Sequence, residues 1–178
     1  MEMIKWGLDN AHSEIGFKVK HLMISSVKGS FSAFTADVVT QGDDFATATI
    51  KLSIDTNGIN TGNADRDAHL KSPDFFDAAN FPSIDFISES LTRTGDDEYQ
   101  LTGELTIKGV SKKVVLNAEF GGTMTDPWGN VKAGFSVTGS ISRSDFGLTW
   151  NAALETGGVL VGDEVKISAE VQFARLAS

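Results

Sequence analysis

The stretch NADRDAHLKSPDFFDAANFPSIDF, residues 63–86, is the one part of the chain that does not read as β-strand. Asn63 is a good N-cap, because its side-chain oxygen can accept one of the orphan N–H groups of a first helical turn. Ala64 to Lys71 then supplies two turns, with Asp65 near the positive end of the helix dipole. Arg66, His69 and Leu70 stand at i, i+3 and i+4, so they share one face. Asp65 and His69 are spaced i, i+4, as are Asp67 and Lys71. Ser72 is expected to cap again, with Pro73 in a first-turn position and Phe75 and Phe76 following. Phe81 precedes Pro82, which pushes it into an extended conformation. Polar groups able to grip a head-group thus stand beside aromatic groups able to cover an apolar tail.

On both sides of this insert the pattern has period two. Ile4 to Leu8 reads as a short strand and Asp9 to His12 as a turn. Ser13 to His21 alternates, with Ile15, Phe17, Val19 and His21 on one face and Glu14, Lys18 and Lys20 on the other. Leu22 to Ser26 can form a helical turn. Val27 to Val39 is strand-like, but its apolar parity shifts between Phe31 and Phe34, which predicts a bulge or bend. Gly42 to Asp44 is a turn. Ala46, Ala48, Ile50, Leu52 and Ile54 form the next inward row, and its two small members would leave room inside a barrel.

After the insert, Ser83 to Ser90 is a strand and Gly95 to Asp97 a turn. Tyr99, Leu101, Gly103, Leu105 and Ile107 alternate. Lys108 to Lys112 is a tight connection, followed by Val114, Leu116, Ala118 and Phe120. Asp126 to Asn130, DPWGN, is a strong turn signal. Val131, Ala133, Phe135, Val137, Gly139 and Ile141 make a long row. Val159 to Phe173 closes the set, with Val165, Ile167, Ala169, Val171 and Phe173 inward. There is no long-helix periodicity and no repeat. The expectation is an all-β fold: one antiparallel, largely up-and-down barrel of about eight strands, with a short helical insert near residues 63–77. A barrel of that size is either filled or holds one small ligand.

A chain of 178 residues suits a single domain, taken here as residues 1–178, and can bury a core or enclose a cavity. The net charge of −9 argues against a nucleic-acid or anionic-membrane partner, since both need clustered Lys and Arg. The absence of cysteine excludes a disulfide framework and a Cys-ligated metal. No run of about 18 apolar residues exists, so no membrane-spanning helix is expected. The N-terminus, MEMIKWGLD, has no apolar signal region. As written the chain is expected to be soluble and cytoplasmic, or periplasmic if a signal was removed. Twelve Phe against three Trp and one Tyr suit a dry interior, whether an aromatic core or a ligand cavity.

Most chemical constellations are weak. His12, His21 and His69 have no metal-ligand spacing and no HExxH is present, so neither a metal nor a cofactor is expected. Asp65 with His69 could act as orienter and base, or could be a helix salt link worth a few tenths of a kcal/mol. No Ser stands in GxSxG, and Asp145-Phe146-Gly147 spells a kinase metal motif without its companions. No catalytic residue is assigned.

The blocks taken together resemble one family. Trp6-x-Leu8-Asp9-x-x-His12-Ser13-x-Ile15-x-Phe17-x-Val19-x-His21-Leu22, then Gly29-x-Phe31, is similar to the opening of YceI-like proteins. Arg66-Asp67-x-His69-Leu70-x-Ser72, Asp74-Phe75-Phe76-Asp77 and Phe81-Pro82 match that family's most characteristic segment. Gly103-x-Leu105-Thr106-Ile107-x-Gly109-Val110 and Arg143-x-Asp145-Phe146-Gly147-Leu148 match later blocks. The resemblance implies a lipocalin-like barrel that holds a long isoprenoid or similar amphiphile in an apolar tunnel, and a homodimer. Many relatives carry an export signal; none is expected in this sequence as written, unless one was removed.

Candidate ligand-binding residues follow. Phe17, Val19, Phe31, Leu52, Phe86, Leu105, Phe135 and Trp150 would wall the tunnel, with Phe75, Phe76 and Phe146 from the motif blocks. His21, Arg66 and His69 would fix orientation at a mouth covered by the insert. Arg66 could instead tie the helix to the barrel. The leading expectation is a non-enzymatic carrier or sequestering protein. The alternatives are an enzyme acting on a lipid-like molecule through His69 with Asp65 or Asp67, and a solid-cored interaction module.

Overall fold

A computed structural model describes residues 2–22, 24–151 and 160–176. The elements are β1 (Met3–Leu8), β2 (Glu14–His21), β3 (Ser25–Phe31), β4 (Phe34–Gln41), β5 (Asp44–Asp55), β6 (Ile59–Asn60), α1 (Ala64–Lys71), β7 (Ser83–Arg93), β8 (Glu98–Ile107), β9 (Val110–Thr125), β10 (Val131–Ser142) and β11 (Val161–Arg175). All pairings are antiparallel, and a β1–β11 pairing closes the sheet. Closure removes the free edges that an open sheet would expose.

The eleven strands fill eight ring positions because three positions are shared, by β1 and β2, by β4 and β3, and by β5 and the short β6. β1 pairs with the end of β11 (Trp6 opposite Arg175), while β2 pairs with its earlier part (Phe17 opposite Ile167). A turn of 3-10 helix at Asn10–His12 separates the two. Ser13 fastens it to the barrel by accepting from the Gln172 N–H at 3.0 Å. In the same way β3 pairs with β2 and β4 with β1. The parity shift between Phe31 and Phe34 is this break at Ser32–Ala33. The expected single strand from Val27 to Val39 is therefore two strands that meet at a bend.

Four local expectations are corrected. Ser25 and Ser26 belong to β3 rather than to a helical turn, and Leu22 sits at φ 56°; Met23 lies outside the described residues. The connection expected over Lys108 to Lys112 needs only Lys108 and Gly109, both at positive φ, joining Ile107 to Val110. Ser72 ends α1 by donating to the His69 carbonyl, and turns rather than a second helix carry Phe75 and Phe76. Ala46 is exposed, whereas Phe45 and Ala48 are buried. The cause is a register shift between Val39 and Gln41. Asp44 holds it by accepting from the Ala46 N–H at 3.0 Å, and Thr47 by accepting from the Gln41 N–H at 2.8 Å. Val159, expected to open the last strand, lies outside the described residues.

The interior is not uniformly packed. One end is filled by aromatic rings: Phe45 meets Trp6 at 5.1 Å, Phe120 at 5.4 Å and Phe135 at 5.0 Å between centroids. Such tilted and edge-on pairs add about 0.5–1.5 kcal/mol each beyond their buried area. The Trp6 indole N–H is satisfied by Thr40 Oγ1 at 3.0 Å, so its burial leaves no orphan donor. Away from these rings, Val165, Ile167 and Ala169 of β11 face inward yet are only half-buried. Inward side chains keep accessible surface only where space lies beside them.

Candidate functional site

That space is a cavity of about 380 Å³ inside the barrel. It lies within the range of roughly 300–1,000 Å³ typical of small-molecule sites. Among the described residues its only charged or imidazole side chains are His21, Arg66, His69 and Arg143. Small residues help to shape it. Gly29 leaves the room that the Phe17 ring occupies, and Gly103 does the same for Phe86; a Cβ at either position would collide with the ring.

The structure brings Phe17, Val19, His21, Phe31, Leu52, Arg66, His69, Phe75, Phe76, Phe86, Leu105, Phe135 and Trp150 to the wall of this one cavity. Phe146 is not among them. It is 1% exposed and belongs to the packed core, on the 3-10 turn Arg143–Phe146 that follows β10. Ala48 also lines the cavity.

The helical insert closes the end opposite the aromatic plug. Asn63 caps α1 by accepting from the Arg66 N–H at 3.0 Å. The face bearing Arg66, His69 and Leu70 then looks into the cavity. The turns beyond Ser72 place Phe76 edge-on to Phe31 of β3, with centroids 6.2 Å apart. Lys108 of the β8–β9 hairpin donates to the Pro73 carbonyl at 2.8 Å and pins the same turn.

Arg66 is partly committed. Its Nε donates to Thr61 Oγ1 and its Nη2 to the Thr61 carbonyl, both at 2.8 Å. Thr61 in turn donates to Asp67 Oδ1 from its hydroxyl at 2.6 Å and its N–H at 2.9 Å. Arg66 therefore ties the helix to the preceding loop, and among the described residues it makes no ion pair with a carboxylate.

His69 pairs with Asp74, Nε2 to Oδ2 at 2.9 Å, and not with Asp65 or Asp67. The expected i, i+4 link is replaced because the turn at Ser72–Pro73 brings Asp74 back to the ring. The proposed base-and-orienter pair of His69 with Asp65 or Asp67 is thus not assembled. The imidazole also stands edge-on to Trp150 at 4.7 Å and to Phe75 at 5.1 Å.

Arg143 escaped notice as anything but part of a motif block. It is 5% exposed, and among the described residues it makes no ion pair with a carboxylate. Instead Nε donates to the Gly162 carbonyl (2.8 Å), Nη1 to those of Leu148 (2.6 Å) and Trp150 (2.9 Å), and Nη2 to that of Val161 (3.2 Å). Burial pushes its guanidinium below the ordinary value, with Asp163 acting in the opposite direction. The fork clamps the chain after β10 to the start of β11 and so sets Trp150 over His69. A lone Arg between strand residues gives no local signal of this; the clamp exists only once the two segments meet.

Among the described residues no group of three or more His, Cys, Asp or Glu side chains is placed to hold a metal ion. Among the described residues no helix is long and apolar enough to cross a membrane.

Comparison with known proteins places this geometry. The family model for the YceI-like domain matches residues 6–173. UPF0312 protein SAS2572 of Staphylococcus aureus strain MSSA476 is 42% identical over 175 residues, which is 97% of this chain and 98% of that one. Among solved structures, BcnA of Burkholderia cenocepacia superposes with a TM-score of 0.80 at 25% identity, over 93% of this chain and 98% of the other. The Campylobacter jejuni YCEI protein does so with a TM-score of 0.76 at 36% identity, over 96% of both chains. A polyisoprenoid binding domain from Saccharophagus degradans, 15% identical with a TM-score of 0.67 over 96% and 98% of the two chains, shares the fold.

Proposed function

This chain belongs to the YceI-like family, and on that premise we propose that it binds, and carries or sequesters, an isoprenoid lipid or similar long-chain amphiphile within its barrel. The observation that carries the proposal is the cavity itself: an apolar enclosure whose few polar side chains gather at the α1 end. A polar or ionic substrate would find almost nothing there to replace its hydration. A hydrocarbon tail loses water at no such cost. Each buried CH₂ contributes about 0.8 kcal/mol, so one five-carbon isoprene unit contributes roughly 3 kcal/mol before ordering costs. His21, Arg66 and His69 are positioned to orient the head-group at that end. The Saccharophagus degradans domain, named for polyisoprenoid binding, agrees in kind.

The role is non-enzymatic in this reading, since His69 of the cavity wall is bound to Asp74 and flanked by rings rather than set beside a nucleophile. Native mass spectrometry of the purified protein tests it. A co-purified amphiphile, or stoichiometric uptake of an added isoprenoid returned chemically unaltered, is the expected result. A bare protein that takes up no added lipid would point to a solid-cored module, and an altered compound to an enzyme.

A further inference from the structure

We propose that the β2–β3 hairpin docks the α1 end of the barrel onto an anionic lipid bilayer, so that an amphiphile can pass between membrane and cavity. The purpose rests on the function proposed above; the docking rests on its own observations. Lys18 stands directly opposite Lys166 on β11 and opposite Lys28 on β3. All three are exposed, as is Lys20 two residues further along β2. Like charges placed directly opposite on neighbouring strands weaken a sheet. Among the described residues none of these four lysines makes an ion pair. The row is therefore a cost to the fold that an external anionic surface would relieve.

The hairpin also carries the apolar part of an interfacial anchor. Beyond His21, which lines the cavity, Leu22 is 39% exposed and Ile24 is 86% exposed. Apolar side chains flanked by lysines sit at the boundary between head-groups and acyl chains. Charge is segregated along the same strands: Glu14 opposes Glu170 at the far end, and the lysines lie nearer the cavity's α1 end. Among the described residues the acids on the lysine side include Asp163 and Glu164 of β11 and Asp145 of the 3-10 turn after β10; the Asp163 carboxylate accepts from the Ser144 N–H at 3.0 Å, while Glu164 and Asp145 are exposed. In the insert, Asp67 is held by Thr61, Asp74 by His69 and Asp77 by Asn80, which leaves Asp65 facing solvent. The net charge of −9 hides this local row, which strand register alone assembles.

The test is co-sedimentation of the full chain with vesicles of phosphatidylglycerol and phosphatidylcholine, against phosphatidylcholine alone. Binding to the anionic vesicles only, lost at high salt, is expected. The K18Q/K28Q/K166Q variant should bind about a hundredfold more weakly, at roughly fivefold per lysine. The control K5Q/K51Q/R175Q changes the net charge equally away from the α1 end and should bind as the unmodified protein does. Ile24→Ser should weaken binding with no change of charge, at an unaltered melting temperature. No binding to anionic vesicles, equal binding to neutral ones, or equal loss in the control overturns the proposal. Isoprenoid uptake from solution by a protein that ignores vesicles overturns docking alone. Docking without any uptake overturns the cavity's function alone.

Discussion

Replacing Ala48 with Phe separates a ligand cavity from a filled core. Ala48 is 8% exposed, lies on β5 and lines the cavity close to the plug residue Phe45. In a filled core the added ring would overpack, at a cost of about 1–3 kcal/mol. For a domain of this size that corresponds to a fall in Tm of about 2–12 °C. In the cavity the ring enters open space, so Tm should hold or rise slightly. The ring would displace about one five-carbon unit of tail, worth roughly 3 kcal/mol, and binding of an isoprenoid should weaken by more than a hundredfold. Ala46→Phe is the internal control, because the bulge at Asp44–Thr47 turns that residue outward. Thermal unfolding and calorimetric titration read both quantities. A Tm loss of that size with unchanged lipid uptake would refute the reasoning, because Ala48 would then border packed atoms.

Arg66→Ala should lower Tm modestly, through the loss of the bonds to Thr61, and weaken an isoprenoid diphosphate about ten- to a hundredfold more than the matching alcohol, the value of a charge-assisted bond. Equal weakening of both ligands with reduced stability would make Arg66 a structural tie only. Arg143→Met leaves its carbonyl partners without their donor and should cost about 3–5 kcal/mol, read by urea denaturation; a loss below about 1 kcal/mol would mean that the clamp is dispensable. For pH, hydrogen bonds from Ser144 hold Asp163 below its ordinary value, and hydrogen bonding from His12, ahead of Lys132, does so for Asp9. A depressed carboxylate gives stability that is complete above its unfolded pKa of about 4 and lost as pH falls through the lower folded value. Tm should therefore gain nothing from these two acids between pH 7 and pH 5, on the order of their titration limits, and decline below about pH 4. Asp163→Asn should lessen that decline, and an identical acid profile in this variant would remove Asp163 from the account.

The barrel was legible because alternation survives wherever strands pair regularly. Tyr99, Leu101, Gly103, Leu105 and Ile107 are inward as their spacing says, and all are buried. The bend at Ser32–Ala33 announced itself as a parity shift. Ala46 was misread because two polar side chains, Asp44 and Thr47, bond backbone N–H groups and insert a bulge that alternation alone cannot register. At the cavity, residues on regular strands such as Phe17, Phe86 and Leu105 were legible for the same reason. Phe146 was not, since a 3-10 turn has no period-two face to assign it to. His69 and Arg143 depend on partners that the chain brings back only by turning. Asp74 lies across the Ser72–Pro73 turn, and the four carbonyls around Arg143 come from two separate segments. The lysine row across β11, β2 and β3 is of the same kind, since each lysine alone is an ordinary outward residue.

The central claim, that an apolar enclosure holds a tail, is tested most directly by the dissociation constants of a series of isoprenoid alcohols that differ by one unit each. Each added unit should tighten binding by about 1–3 kcal/mol, part of the transfer value being lost to imperfect contact, until the tail fills the cavity and the gain stops. Equal affinity across the whole series would contradict the claim.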